Sequence, residues 1–268
     1  MLKDITLGQY FPGNSPVHRL DPRTKLLLLI AYIVALFVAN SFLSYGIVFL
    51  VLAGSIAISG IPLKFFVRGL KPLVFILLFT GFLNLFFTTG EKLLVQFWIV
   101  HIYWEGVVRA FFMMSRILML LSGTFLLTYT TSPISLTDGL ELLLKPLDKL
   151  HFPVHELSMM MCIALRFIPT LLEETDKIMS AQKARGADFE TGNLIQRVKA
   201  LVPILVPLFI SAFRRADELA IAMECRCYHG GDGRTKMKLL RYKLRDYKAF
   251  LLGALLVTAV FVLKSFGL

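Results

Sequence analysis

Apolar runs of roughly 20 residues, long enough to cross a bilayer as helices, restrict this chain more than any other feature. A run of that length matches the ~30 Å hydrocarbon thickness of a bilayer at ~1.5 Å of helical rise per residue. Five spans are predicted: Thr24–Ala39, Ser41–Ser59, Leu70–Thr89, Val107–Thr130 and Lys248–Phe266. The first two nearly touch, with Asn40-Ser41 as the turn. Across 268 residues, a hydrophobic content of 56% and a mean hydropathy of +0.70 exceed what an ordinary soluble domain carries. The expected fold is an all-α membrane protein in three parts. An N-terminal bundle of about four spans occupies residues 1–130, helices at the membrane interface and in the cytoplasm occupy 131–247, and a final span occupies 248–268.

Lysine and arginine near span ends set the orientation. Lys3, Arg19, Arg23 and Lys25 precede or open the first span, and Lys64, Arg68 and Lys71 follow the second. The loop Gly90–Gly106, by contrast, holds Lys92 and Arg-free sequence. This bias puts the N-terminus in the cytoplasm, and five crossings then put the C-terminus outside. No cleavable leader is expected, because about 23 residues, Met1 to Arg23, precede the first apolar run. Cys162, Cys225 and Cys227 all fall in the cytoplasmic stretch, where thiols stay reduced.

A net charge of +11 invites a nucleic-acid reading, but its distribution argues against one. From Thr131 to Tyr247 there are 17 Lys and Arg against 14 Asp and Glu, and the dense part, Arg234–Lys248, sits beside a span. Such a cluster suits anionic lipid. No basic surface interleaved with aromatics points to stacked bases.

Three helical segments are read between the fourth and fifth spans. The first, Ile134 to about Leu150, carries Leu136, Leu140, Leu143, Leu144 and Leu147 at helical spacing, with Pro146 expected to shorten it. The second runs from about Val154 to Arg185 and the third from about Asn193 to Arg226. Each has an apolar first half and a polar second half, so each is expected to embed at one end and project into the cytosol at the other. Each also ends on an arginine between small residues: Ala184-Arg185-Gly186 and Cys225-Arg226-Cys227. An aspartate precedes each arginine by the same interval, Asp176 before Arg185 and Asp217 before Arg226, so the design occurs twice at a fixed offset.

Guanidinium presents five donors in a fixed fork and matches carboxylates and carbonyls bidentately. Small neighbours let such a helix end enter a groove. An arginine at a helix C-terminus is also favoured by the dipole alone, so simple capping remains an alternative. At the second tip no glycine follows the arginine directly, and Tyr228-His229-Gly230-Gly231 is expected to supply the chain reversal.

Several stretches together resemble the transmembrane coupling subunit (T component) of energy-coupling factor transporters. They are Leu20-Asp21-Pro22-Arg23-Thr24-Lys25, Leu165-Arg166-Phe167-Ile168-Pro169-Thr170 and Ala181-Gln182-Lys183-Ala184-Arg185-Gly186. Arg214-Arg215-Ala216-Asp217-Glu218-Leu219-Ala220 and Ala222-Met223-Glu224-Cys225-Arg226-Cys227 complete the match. The resemblance implies a non-catalytic subunit of an ATP-driven micronutrient importer in a prokaryotic plasma membrane, for a vitamin or a transition metal. It implies that Ala184, Arg185, Gly186, Cys225, Arg226 and Cys227 dock into two ABC-type ATPase subunits. It also implies a bracing role for Asp176, Asp217 and Arg166, and a substrate-binding membrane subunit, dedicated or interchangeable, as the other partner. ATP and magnesium belong to the ATPases, and this chain is expected to bind no cofactor or metal.

Other constellations carry less. No GxxxxGK[ST] loop is present. His155-Glu156 opens like a zinc-protease helix, but Met159 stands where the second histidine belongs. Cys225, Cys227 and His229 lack the spacing of a structural zinc site. A stand-alone secondary transporter would need ionisable groups near the midplane. The first three spans hold no acid or histidine, and Arg116 in the fourth is the exception to explain. A membrane-embedded enzyme is disfavoured for the same reason. Ala31, Ala35 and Ala39 form a small-residue face suited to close helix packing.

Overall fold

The computed structural model describes residues 10–90, 93–97, 100–150, 152–187, 189, 193–230 and 239–266. The chain divides into two compact units, Gly8–Gly139 with Leu240–Leu268, and Leu140–Leu239. The last helix thus shares a unit with the N-terminal bundle. Pro133–Leu144 (α6) straddles the first boundary. A Cβ on its Gly139 would lie 2.9 Å from Cβ of Pro22, so this helix begins packed on the first span.

In the larger unit, Pro22–Val38 (α1) starts on two signals: Pro22 at the first position, and the Asp21 carboxylate accepting the Arg23 N–H at 2.9 Å. Phe42–Ser59 (α2) is capped by Ser41, which accepts from the Ser44 N–H, and stops at Gly60 with φ 70. Leu63–Leu70 (α3) passes through a tight turn at Lys71–Leu73, centred on Pro72, into Val74–Phe87 (α4). Trp104–Thr130 (α5) and Leu244–Ser265 (α9) complete the bundle. One departure from an all-helical chain is an antiparallel pair, Leu93–Phe97 (β1) and Val100–Tyr103 (β2), with Phe97 opposite Val100 and an irregularity between Leu93 and Val95.

The bundle is locked at one end by buried charge. The Asp21 N–H donates to Asp246 at 2.9 Å, and Arg23 donates to Asp21 and to the Leu240 carbonyl. Lys25 Nζ donates to the carbonyls of Thr130 (2.8 Å) and His18 (3.2 Å) and to Thr131 Oγ1 (3.1 Å). The N-terminal ends of α1 and α9 thus meet the C-terminal end of α5, so α1 and α9 run parallel and α5 runs against them. Tyr129 brings the start of α3 to the same end, its hydroxyl donating to the Phe65 carbonyl.

Further along α5, Tyr32 donates to the Met119 carbonyl, and Arg116 donates to Tyr45 Oη (2.8 Å) and the Ala39 carbonyl (3.2 Å). Arg116 therefore ties α5 to the C-terminal end of α1 and the start of α2. Ala35 and Ala39 are fully buried among Leu36, Val48 and Val260, as a close-packing face requires.

Among the described residues, five helices are long and apolar enough to cross a membrane: Phe42–Ser59, Leu63–Phe87, Trp104–Thr130, Val154–Ala184 and Leu244–Ser265. Four of them overlap the predicted spans Ser41–Ser59, Leu70–Thr89, Val107–Thr130 and Lys248–Phe266, and helix α1 overlaps the remaining one, Thr24–Ala39. α1 is shorter than these at 17 residues, and Val154–Ala184, within the second helical segment after the fourth predicted span, qualifies by composition.

Candidate functional site

The smaller unit holds the two predicted arms as Val154–Ala184 (α7) and Leu194–Glu224 (α8), each 31 residues. Just before them, α6 breaks at Lys145 into a tight turn through Pro146, as expected of a proline that cannot donate. Glu141 anchors the start of α7. It meets His155 Nδ1 at 3.1 Å and accepts from Ser158 Oγ at 2.9 Å. That contact gives His155 a structural role. Among the described residues no group of three histidine, cysteine or acidic side chains is arranged to hold a metal.

The arms run in opposite directions. Glu174 of α7 accepts from Ser211 Oγ and from Arg215 Nη2 (3.2 Å), while the Arg215 guanidinium lies 6.0 Å from the Phe167 ring centroid. Nearer the start of α7, the Tyr228 hydroxyl donates to Met159 Sδ at 3.0 Å. As the contacts step back along α7 from Glu174 to Phe167 to Met159, they step forward past α8 from Ser211 to Arg215 to Tyr228. Each tip therefore lies toward the root of the other arm. Periodicity reports which face of a helix is apolar and carries no information on the relative direction of two helices.

The sequence offset from Glu174 to Arg215 is the same one that relates Arg185 to Arg226. Exchanging the arms maps this pair onto itself, so it lies on a local pseudo-twofold axis. Arg185 follows Glu174 by as many positions as Arg226 follows Arg215. Each tip is thus about three turns, or roughly 16 Å of helix rise, from the crossing, in opposite directions.

Both tips close with the same hydrogen-bond ring. At the first, the Ala187 N–H reaches the Gln182 carbonyl (3.0 Å) and the Gly186 N–H reaches Lys183 (3.0 Å), with Gly186 at φ 89. At the second, the Tyr228 N–H reaches Met223 (3.1 Å) and the Cys227 N–H reaches Glu224 (2.8 Å), with Cys227 at φ 54. Both are Schellman caps. The reversal at the second tip therefore happens at Cys227 itself, immediately after the arginine, where the sequence suggested Tyr228–Gly231. Gly230 is also left-handed, at φ 98, and Gly231 lies outside the described residues.

Ala184, Arg185, Gly186, Cys225, Arg226 and Cys227 are all exposed. Among the described residues neither guanidinium has a hydrogen-bond or ion-pair partner. Asp176, Asp217 and Arg166 lie on the same two helices, and none takes part in the Glu174 clasp. The residues that do the clasping, Glu174, Ser211 and Arg215, were missed in the sequence. Opposite charges at the repeat offset were the available signal.

The chain also matches known proteins along its length. A family described as CbiQ, cobalt transport protein, matches residues 13–237. The energy-coupling factor transporter transmembrane protein EcfT of Clostridium kluyveri is 57% identical over 258 residues, covering 96% of both chains. Proteins of the same name from Thermosediminibacter oceani and Bacillus subtilis are 55% and 47% identical, over 95% and 99% of this chain and 96% and 100% of their own lengths. The chain belongs to the EcfT family. It is thus a multi-pass membrane protein and the transmembrane component of an energy-coupling factor transporter, a complex that includes other subunits. As in the sequence reading, the family relation identifies a transporter subunit, and its paired arginines are the feature such a role has to explain.

Proposed function

We propose that this EcfT-family chain transmits work from two ABC-type ATPase subunits to a substrate-binding membrane subunit, and itself catalyses nothing. One observation carries the reading. Two exposed arginines, without partners among the described residues, stand on matching caps at opposite ends of a pseudo-twofold arm pair. Two related ATPases would assemble about a twofold axis and offer two equivalent grooves facing each other, and a symmetric receptor is matched best by a symmetric pair of ligands. The guanidinium fork then engages carboxylates or helix-end carbonyls in each groove. ATP and magnesium stay on the ATPases.

When ATP draws the grooves together, both tips are pulled toward the axis at Glu174–Arg215. The arms turn about that crossing, and their apolar halves shift under the substrate-binding subunit, tilting or releasing it. The cargo is a micronutrient, vitamin or transition metal, recognised by that subunit. In the prokaryotic plasma membrane, the shared end of α1, α9 and α5 lies on the cytoplasmic side. Crossings by α1, α2, α3 with α4, α5 and α9 then leave the C-terminus outside.

The test is the double variant Arg185→Ala/Arg226→Ala. It is expected to insert normally yet purify without either ATPase. Its full copurification with both would remove the reading.

A further inference from the structure

The two tips share a geometry and differ in chemistry. Ala184 and Gly186 flank Arg185, whereas exposed thiols, Cys225 and Cys227, flank Arg226. Cys227 is the one non-glycine residue with positive φ among the described residues. That backbone state is free of steric penalty for glycine, which holds the equivalent place at the first tip as Gly186. A side chain kept where the backbone favours none points to a use for that side chain.

We propose that Cys225 and Cys227 form a thiol-modification site that switches docking of the second arm. The proposal rests on the docking role of Arg226. Its co-reactant is a low-molecular-weight disulfide. The thiolate sulfur of either cysteine attacks one sulfur of the reagent, and a new S–S bond joins the protein to half of it. The reagent's own S–S bond breaks, and its other half leaves as a thiolate that takes up a proton. The cysteine is oxidised and the departing half is reduced, so no further electron acceptor is needed. Exposure gives the reagent access, the first requirement for such a site.

The consequence follows from what the tip needs. Small flanks let a guanidinium enter a groove, and a bulky adduct places a collar beside it. An adduct with carboxylates also pairs with Arg226 and occupies its donors. The first arm has no thiol at its tip, so the switch acts on one of two grips. Cys162, on α7, is only partly exposed, and replacing it leaves the two tip thiols as the sites that a reagent can modify. An occupied groove covers the thiols, so modification captures the undocked tip.

The experiment uses inside-out membrane vesicles bearing the full chain with Cys162→Ala, made without ATPases. They are treated with oxidised glutathione, washed, and given untreated ATPase subunits from the same organism. Expected are glutathionyl adducts mapped to Cys225 or Cys227 and ATPase retention reduced to that of an Arg226→Ala chain. Retention then returns after a reducing thiol is added. Absence of adducts at both cysteines overturns the proposal, as does full retention by chains that carry them. If Arg226→Ala alone retains both ATPases undiminished, the docking reading fails and the thiol switch falls with it.

Discussion

At Cys227 a side chain with a Cβ occupies a left-handed turn, and the hydrogen bonds from Cys227 and Tyr228 hold it there. Left-handed backbone costs a non-glycine L-residue about 1 kcal/mol or somewhat more. Cys227→Gly is therefore expected to stabilise the second cap by about 1 kcal/mol and slow amide exchange at Tyr228 roughly fivefold. Gly186 gives the reciprocal test. A Cβ built there meets nothing within 4 Å, so Gly186→Ala probes backbone strain alone. It should accelerate exchange at Ala187 by a similar factor. Equal exchange rates in wild type and both variants would show that the caps do not depend on the left-handed residue.

The two arm helices become one device only through their crossing. Glu174 holds it with a hydrogen bond from Ser211 and an ion pair with Arg215 whose side chains are 26% and 33% exposed. Solvent screens a pair this exposed, so its contribution is about 1 kcal/mol. Glu174→Ala removes both bonds and leaves Arg215 without its carboxylate. Spin labels at Ala181 and Ala222, in a background lacking native cysteines, are expected to show a broader distance distribution in this variant. An unchanged distribution would assign the crossing to apolar packing alone. The prolines inside the arms, Pro169, Pro203 and Pro207, each withhold an N–H from the helical ladder. They sit in the apolar halves, away from the tips, where bending changes the platform and leaves the caps intact.

Across the molecule, the buried junction of Asp21, Lys25 and Asp246 decides which helix ends share a side. Lys25→Met would leave the Thr130 and His18 carbonyls without their donor in an enclosed site. A loss of about 2–3 kcal/mol is expected, seen as a lower thermal unfolding midpoint in detergent. Parallel α1 and α9 make a topological prediction as well. A cysteine at Phe266 should react with a membrane-impermeant maleimide in intact cells, whereas one at Tyr10 should not. Reaction at Tyr10 with protection at Phe266 would reverse the assigned orientation.

Much of this protein was legible before any coordinates. Span length, the apolar and polar halves of α7 and α8, and the small residues beside Arg185 and Arg226 are local properties. Local properties are set by side-chain volume, polarity and helical period, all of which a linear chain displays. The left-handed state of Cys227 was not legible, because hydrogen bonding around the tip, and no preference of cysteine, holds it. Nor was the clasp that joins Glu174 to Ser211 and Arg215, nor the contact of Asp21 with Asp246 near the far end of the chain. Composition announced that charges were present, but pairing depends on the direction in which helices pack. The amino-acid order by itself settled that this chain enters a membrane and carries two arginine-tipped arms. Only the tertiary structure made those arms antiparallel, because helix direction is decided by long-range contacts that no window of sequence contains.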